Sequence, residues 1–230
     1  MSKIAIMGAM PEEIEPLLKK VENVKKIEYA NNSYYEATYK GKELVIAYSK
    51  IGKVFSSLTA ATLLEKFGCT KLLFSGVAGA INPVLKIGDL IIADKLCQHD
   101  LDISIFGHDF GFVPEGAKFI ETDKALREIA KEVAAQNELS LIEGTIATGD
   151  QFVASNERKA FITKHFQADA LEMEGASVAV VCDALNVPFF VLRAISDTAN
   201  DDAGMDFDEF MVGSAIISAN FILDMVENID

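Results

Sequence analysis

The sequence predicts an α/β fold: a single-domain three-layer α/β/α sandwich with a mixed central sheet, spanning residues 1–230. Short apolar runs that are typical of buried strands alternate with stretches of helical periodicity, and the connections between them are short. A chain of 230 residues is also long enough to bury roughly 70% of its unfolded surface in one core. No internal repeat, linker or low-complexity segment divides the sequence, so one domain is expected.

The first half of the chain predicts four strands and two helices. A helix follows the first strand directly, since Pro11 suits a first helical position and Glu12 and Glu13 complement the positive end of the helix dipole. Apolar, aromatic and β-branched residues interspersed with polar ones flank Lys40-Gly41-Lys42, which predicts an antiparallel hairpin and hence a mixed sheet. The small-residue segment Gly76–Ala80 is expected to be a loop along which a ligand can approach the backbone. The predicted strands are Lys3–Met7, Ser33–Tyr39, Glu43–Tyr48 and Lys71–Ser75, and the predicted helices begin at Pro11 and span Lys53–Phe67.

The second half predicts four strands that alternate with four helices. Because open α/β sheets bind ligands at the carboxyl ends of their strands, ligand-binding segments are expected just after five of the strands in the chain. Those strands end at Met7, Ser75, Thr148, Met173 and Ile195. The predicted strands of this half are Asp89–Ala93, Leu141–Thr148, Ala170–Met173 and Phe189–Ile195, and the predicted helices are Thr122–Gln136, Asn156–His165, Ala176–Leu185 and Phe207–Val226.

The acidic composition excludes several classes of partner. The formal net charge is −14 and no lysines form a basic tract, which argues against binding to nucleic acid and to anionic membrane surfaces. The chain has three arginines, Arg127, Arg158 and Arg193, so few positions could grip a phosphate group. Half of the residues are hydrophobic, which predicts that a homo-oligomer buries some apolar surface between its subunits.

The sequence also predicts a cytoplasmic protein. The apolar run at the amino terminus is too short for a signal peptide, and no stretch of about 18 apolar residues lacks a charge. Cys69, Cys97 and Cys182 are widely spaced in apolar surroundings, as reduced core thiols are.

Carboxylates at the predicted strand ends are the candidates for chemistry. Glu13 lies in the first turn of a helix, where a glutamate is more often a capping residue, but that turn opens toward the expected crevice, where a carboxylate could activate water. Glu172 and Glu174 are two residues apart, so in an extended strand only one of them can enter a given pocket, and Glu174 is preferred. Asp197, held by Ser196, follows a long apolar run. It is either a loop aspartate or a partly buried proton donor.

Other motifs give weaker indications. The stretch His99-Asp100-Leu101-Asp102 contains residue types that bind metals, but the two other histidines fall in no matching spacing, so we expect no metal. The turn Gly8–Glu13 lacks the second and third glycines of a dinucleotide fingerprint, so we expect no cofactor. Phe152 and Phe207 could stack on a flat heterocycle, although such aromatics are more often core residues.

Several short motifs, taken in their order and spacing, resemble those of bacterial 5′-methylthioadenosine/S-adenosylhomocysteine nucleosidases over nearly the whole chain. The resemblance implies a phosphorylase/hydrolase-like α/β/α fold, a homodimer, and irreversible hydrolysis of the N-glycosidic bond of 5′-thio-substituted adenine nucleosides. The motifs are Ile6-Met7-Gly8-Ala9-Met10 with Glu12-Glu13, Gly76-Val77-Ala78-Gly79, Thr148-Gly149-Asp150-Gln151-Phe152, Glu172-Met173-Glu174, Arg193-Ala194-Ile195-Ser196-Asp197 and Phe207-Asp208-Glu209-Phe210.

The resemblance also implies roles for individual residues. Glu13 would activate the water, and Asp197, supported by Ser196, would protonate or hydrogen-bond adenine N7. Phe152 would stack on adenine while the backbone of Val153 reads its edge. The ribose and the attacking water would be contacted by Glu174, Met173 and Arg193. The remaining pocket residues of the chain would be Met10, Ala78, Gly79 and Phe207, and a partner subunit would complete the 5′ pocket with Ile103, Phe106 and Pro114.

Two departures from the family pattern bear on the 5′ group and the sugar. Val77 stands where a serine is common in related sequences, and His108 stands where some relatives carry a tyrosine near the 5′ pocket. Alternatives therefore include a nucleosidase of the same fold that prefers another 5′ substituent, as in aminodeoxyfutalosine or 5′-deoxyadenosine. A noncatalytic nucleoside-binding protein would be expected to lack one of the carboxylates.

The first loop distinguishes between water and phosphate as the nucleophile. Phosphorylases of this fold need basic residues around the phosphate, whereas this loop offers Glu12 and Glu13. Because like charges repel, water is the predicted nucleophile.

Overall fold

The structure, a computed structural model, describes residues 2–199 and 203–229, and for residues 203–209 it describes the backbone alone. Within this part of the chain there are ten strands and six helices. The strands are β1 Lys3–Gly8, β2 Glu22–Tyr29, β3 Asn32–Tyr39, β4 Lys42–Tyr48, β5 Lys71–Ala80, β6 Leu90–Gln98, β7 Ile120–Glu121, β8 Leu141–Thr148, β9 Ala170–Glu172 and β10 Phe189–Asp197. The helices are α1 Pro11–Leu18, α2 Lys53–Ala61 with a π-helical turn at Thr62–Lys66, α3 Lys124–Gln136, α4 Asn156–Phe166, α5 Gly175–Ala184 and α6 Ala203–Asn228.

The strands form one mixed sheet, as predicted. Its order is β10-β6-β8-β9-β5-β1-β4-β3-β2, with the short β7 beside β6. Strand β10 also pairs with β5, so β10, β6, β8, β9 and β5 close into a ring. Strands β4, β1, β5 and β10 run parallel to one another, whereas β6 runs antiparallel to β10 and β9 runs antiparallel to β5.

Closure of this ring brings distant strand ends together. Strand β9 meets β5 through two residue pairs at the carboxyl end of β5, Gly79 with Leu171 and Ala80 with Ala170. On its other side, Gly79 pairs with Asp197 at the end of β10. The ends of β5, β9 and β10 therefore share one rim of the ring although β9 runs in the opposite direction.

Helices cover both faces of the sheet, which confirms the predicted three-layer fold class. Alternate residues of the central strands are buried on opposite faces, as expected for strands covered on both sides. Ala5, Met7, Leu72 and Phe74 pack with α2 and α5, whereas Ile4, Ile6, Leu73 and Phe190 pack with α1, α3 and α6.

Helix α6 is unusually apolar. Among the described residues, its segment Phe210–Asn228 is the one stretch long and apolar enough to cross a membrane by length and composition. Half of this segment is buried, and it packs on β10, β5, α1 and α3, as the core helix of a globular protein does. Its composition is explained by this packing.

Two expectations about the elements are wrong. Gly76–Ala80 is not a loop but the second half of β5, because pairing with β10 on one side and with β9 on the other holds it extended. Strand β2 was not expected, and it lies at the edge of the sheet with most of its residues exposed. The two-residue strand β7 was not expected either, and the other differences are in length, of which the largest is the extension of β6 to Gln98.

Candidate active site

A cavity of about 500 Å³ opens at the rim where the ends of β1, β5, β9 and β10 meet. Ligand-binding segments were expected after five strand ends, and residues that follow four of them line this cavity. At the fifth, Ser75, the lining residues belong to the second half of β5 itself. The described lining residues are Ala9, Met10, Glu13, Ile51, Val77, Ala78, Gly79, Gln151, Phe152, Val153, Leu171, Glu172, Met173, Glu174, Ser196, Asp197 and Ala199.

Glu13 is held at the cavity wall by three backbone N–H groups. Its Oε2 accepts hydrogen bonds from the N–H groups of Ala9 at 2.5 Å and Met10 at 3.0 Å, and its Oε1 accepts one from Val77 at 3.1 Å. The side chain is 2% exposed. Burial raises the pKa of Glu13 above its ordinary value of 4.5, while nearby Arg193 and these three donors oppose the increase. Glu13 is therefore both a capping residue of α1 and a buried carboxylate that faces the cavity.

Gly76 leaves the space that the Glu13 carboxylate occupies. A Cβ at this position would lie 2.8 Å from Oε1 of Glu13 and 3.3 Å from Nη1 of Arg193. Contacts below 3.0 Å essentially do not occur for real Cβ atoms. The absence of a side chain at Gly76 is thus a requirement of the site rather than of a turn.

Arg193 lies behind the cavity and is bound to Glu172. Its Nη2 donates to Oε2 of Glu172 at 2.7 Å, its Nη1 donates to the carbonyl oxygens of Phe74 and Leu192, and its guanidinium lies 4.0 Å from the centre of the Phe74 ring. Arg193 is 1% exposed and is not among the described lining residues. Its expected contact with substrate stays a prediction, while its partner in the structure is Glu172.

Glu172 connects this arginine to the start of α5. Its Oε2 also accepts hydrogen bonds from the N–H groups of Glu174 at 3.1 Å and Gly175 at 2.7 Å, and its Oε1 accepts one from the hydroxyl of Thr148. The expectation that only one of the two glutamates could reach the pocket is wrong, because the chain leaves the extended conformation at Glu174, where α5 begins.

Glu174 faces the cavity with a perturbed carboxyl group. Its Oε1 accepts a hydrogen bond from the N–H group of Gly52 at 2.8 Å. Burial, together with repulsion from Glu172, raises the pKa of Glu174 to about 8. A group that gains or loses a proton near neutral pH is a frequent feature of functional sites.

Asp197 occupies the opposite part of the wall. Its Oδ2 accepts a hydrogen bond from the hydroxyl of Ser196 at 3.0 Å, as expected, and its Oδ1 accepts one from the N–H group of Ala199 at 2.8 Å. A Cβ at Gly79 would lie 2.6 Å from Oδ1 of Asp197. Gly79 thus leaves the space that the Asp197 carboxylate occupies, as Gly76 does for Glu13.

The other expected residues fall into three groups. Met10, Ala78, Gly79, Phe152, Val153 and Met173 line the cavity together with the acids, and the Phe152 ring is half-exposed. The side chain of Phe207 lies outside the described residues. The residues expected from a partner subunit are not among the described residues that line the cavity of their own chain. They are Ile103, Phe106 and Pro114.

Two described residues after β4 belong to the site but were not expected there. Ile51 lines the cavity, and Gly52 supplies the N–H group that binds Glu174. Gly52 has a φ of +98°, and a glycine between a strand and a helix was the available signal.

The charges of the site favour a cationic species. Of the described lining residues, four are carboxylic acids and none is a lysine or arginine. Arg193 behind the wall forms its ion pair with Glu172. Buried carboxylates stabilise positive charge strongly because the surroundings have a low dielectric constant. The described residues contain no group of three or more His, Cys, Asp or Glu side chains that could hold a metal ion.

Comparison with known proteins identifies relatives over the whole chain. A family model described as the phosphorylase superfamily matches residues 3–227. An aminodeoxyfutalosine nucleosidase of Campylobacter jejuni is 59% identical over 229 residues, which cover 100% of both chains. A 5′-methylthioadenosine/S-adenosylhomocysteine nucleosidase of Bacillus licheniformis is 36% identical over 99% of this chain and 100% of its own. A solved structure of a mutant of the same kind of nucleosidase from Helicobacter pylori, with 5′-methylthioadenosine in its active site, is 50% identical with a TM-score of 0.98 and covers 100% of each chain.

Proposed function

This chain belongs to the phosphorylase superfamily and is a nucleosidase, an N-glycosyl hydrolase, and we propose that it releases adenine from 5′-substituted adenine nucleosides with water as the nucleophile. The observation that carries the proposal is the pair of buried carboxylates, Glu13 and Asp197, that line one cavity. Inverting glycosidases also use two carboxyl groups, one as the acid on the leaving group and the other as the base that activates a water molecule.

Glu13 prepares the water. A carboxylate whose pKa is raised by burial is a stronger base than one in solution, and three backbone donors fix its position. The backbone N–H groups of Ala9, Met10 and Val77 use part of the acceptor capacity of the two Glu13 oxygens. The remaining acceptor capacity is available for a water beneath the sugar.

Asp197 improves the leaving group. Adenine is a poor leaving group as an anion, and a proton or strong hydrogen bond at N7 relieves the charge that develops as the glycosidic bond breaks. Ser196 and the Ala199 N–H group orient the aspartate, and Phe152 offers a face on which the base stacks.

Glu174 and Met173 bind the ribose. As the glycosidic bond breaks, the sugar becomes oxocarbenium-like and carries positive charge. The carboxyl group of Glu174 accepts hydrogen bonds from the sugar hydroxyls, and these strengthen as the charge develops. The same excess of carboxylates disfavours phosphate near the sugar, which supports water as the nucleophile.

The 5′ group is the variable part of the substrate. We propose 5′-methylthioadenosine and S-adenosylhomocysteine as substrates, and aminodeoxyfutalosine as a further one because a relative with 59% identity is named for it. Apolar residues at the ribose end, including Met10, Met173 and Ile51, suit a thioether or an aromatic group. A cavity of about 500 Å³ supports a nucleoside that carries such a substituent.

A partner subunit completes the 5′ pocket in this proposal. Phe106 is 76% exposed, and Ile103 and Pro114 belong to the same connection between β6 and β7. A homodimer would bury this aromatic side chain in the neighbouring cavity. The free, buried thiols of Cys69, Cys97 and Cys182 support placing the enzyme in the reducing environment of the cytoplasm.

A substrate panel tests the proposed specificity. Adenine release is measured for 5′-methylthioadenosine, S-adenosylhomocysteine, aminodeoxyfutalosine, 5′-deoxyadenosine and adenosine in phosphate-free buffer. The proposal expects turnover of the first three with kcat/KM well above that of adenosine. Equal or faster turnover of adenosine would contradict recognition of the 5′ group.

A further inference from the structure

Lys53, Asp100 and Asp150 form a closed ring of hydrogen bonds beside the cavity. Nζ of Lys53 donates to Oδ1 of Asp100 at 2.7 Å. Oδ2 of Asp100 accepts from the backbone N–H group of Asp150 at 2.8 Å. Oδ1 of Asp150 accepts in turn from the backbone N–H group of Lys53 at 2.8 Å, which closes the ring.

The ring joins three segments that are far apart in the sequence. Lys53 begins α2, Asp100 follows β6, and Asp150 follows β8. Two of these segments continue directly into the cavity wall. Gly52, next to Lys53, donates its N–H group to Glu174, and Phe152 lies two residues after Asp150.

We propose that this ring positions Glu174 and Phe152 for the nucleoside, so that Lys53, Asp100 and Asp150 are positioning residues for substrate binding. The inference rests on the proposed function, in which Glu174 binds the ribose and Phe152 stacks on adenine. None of the three ring residues is among the described lining residues, so they act through these two side chains.

The ring is better suited to this role than an ordinary surface ion pair. The side chains of Lys53 and Asp100 are 19% and 16% exposed. Burial alone would raise the pKa of Asp100, but the Lys53 ammonium and the Asp150 N–H group outweigh it and lower the pKa below 3.8. Lys53 also donates to Oε1 of Gln98 at 3.2 Å. Two of the three links in the ring use backbone groups, so a displaced side chain would move the backbone that carries the site.

Close packing restricts the same segments further. A Cβ at Gly52 would lie 3.0 Å from Oδ1 of Asp150, and one at Gly149 would lie 2.4 Å from the His99 ring. The His99 imidazole is held in turn by Arg158, whose Nη2 lies 3.1 Å from Nδ1 of His99 and donates to the His99 carbonyl oxygen at 3.0 Å. The segment at Gly149 and Asp150 is thus held by the hydrogen bonds of the Lys53–Asp100–Asp150 ring and by packing against the imidazole of His99.

Steady-state kinetics with 5′-methylthioadenosine tests the inference through a double-mutant cycle of Lys53→Met and Phe152→Ala. We expect Lys53→Met to raise KM by about tenfold with kcat within about threefold, since binding contacts are displaced while the acid and base remain. In the Phe152→Ala background the same substitution is expected to raise KM by only about threefold, because the stacking contact is already absent and the Glu174 contact alone is left to be displaced. Lys53→Arg, which keeps the charge and a donor, should recover part of the loss.

Lys3→Met is the matched control, because it removes a partly buried ion pair with Glu36 that lies away from the cavity. Both lysine variants are expected to lower Tm, but Lys3→Met should leave KM unchanged. The positioning role would be overturned if Lys53→Met left KM unchanged, or if it raised KM by the full tenfold both in the unmodified protein and in Phe152→Ala. Neither result would affect the proposed function. An unchanged KM for Phe152→Ala would instead reject the adenine contact, and the positioning role with it.

Discussion

The carboxylate of Glu13 occupies the position that a side chain at Gly76 would need. A Cβ there would lie 2.8 Å from Oε1 of Glu13, and the opposing Arg193 is 3.3 Å from the same point. Glu13 lies in α1 and Gly76 in β5, and 62 residues separate them in the sequence. The position of the proposed base therefore depends on a glycine that has no chemical role of its own.

Gly76→Ala is expected to reduce adenine release by at least about tenfold, because a displaced Glu13 no longer aligns the water. The matched control is Gly213→Ala in α6, where a Cβ would meet nothing within 4 Å. That substitution is expected to leave activity unchanged and to stabilise the helix by about 0.5–1 kcal/mol. Kinetics and thermal unfolding of both variants check the pair, and a fully active Gly76→Ala would show that the site tolerates displacement of Glu13.

Glu174→Gln is expected to separate stability from activity. The folded-state pKa of Glu174 is about 8, above its ordinary 4.5, so between these values the native state holds more protons than the unfolded state. The stability of the unmodified protein therefore falls as pH rises from about 4.5 to about 8, and a glutamine removes this dependence.

Thermal unfolding at pH 5 and pH 8 measures this effect. The Tm difference between Glu174→Gln and the unmodified protein is expected to grow by about 5 °C or more from pH 5 to pH 8, at roughly 2–4 °C per kcal/mol. Activity at pH 8 and above, where Glu174 is ionised in the unmodified protein, should fall in the same variant, since a neutral amide stabilises a cationic sugar poorly. A Tm difference that does not change with pH would show that Glu174 titrates normally.

Asp197→Asn and Glu13→Gln are each expected to lower kcat by about 10²–10⁴-fold, the usual contribution of a general acid or base. Glu13→Gln should also cost about 1–3 kcal/mol of stability, because its amide NH₂ would face one of the three backbone N–H groups. Circular dichroism and melting temperatures establish that both variants are folded at the assay temperature. Near-normal kcat in either folded variant would reject its role.

Subunit mixing tests whether Phe106 acts in the site of its neighbour. Phe106→Ala should raise KM, and Asp197→Asn should be inactive but still supply an intact Phe106. After subunit exchange, mixed dimers contain one site with both residues intact, so activity at low substrate should exceed the sum of the separate proteins. A mixture whose activity equals that sum would place Phe106 outside the neighbouring site.

The sequence could predict the acids of the site because they follow strands with strong apolar signals. Glu13, Glu174 and Asp197 were expected at strand ends, and all three line one cavity. Glu172 was misjudged, because the period of two that describes a strand no longer holds at Glu174, where the backbone turns into α5. Glu172 and Arg193 lie in different strands, β9 and β10, so the hydrogen bond between them depends on how the strands are arranged and not on the sequence around either residue.

Closure of the strand ring could not be predicted either. Pairing of β5 with β10 joins residues more than 100 positions apart, and each of those strands also fits an open sheet. Strand β2 was missed for the opposite reason. It is an edge strand with little buried surface, and the sequence Glu22–Tyr29 therefore lacks the apolar alternation by which strands are recognised.

In the proposed mechanism Glu13 and Asp197 direct water, not phosphate, to the glycosidic bond. The most direct test follows adenine release from 5′-methylthioadenosine in phosphate-free and in phosphate-containing buffer, with the sugar product identified by mass spectrometry. We expect the same rate and a free methylthioribose in both buffers. A rate that requires phosphate, or a sugar that carries a phosphate group at C1, would contradict it.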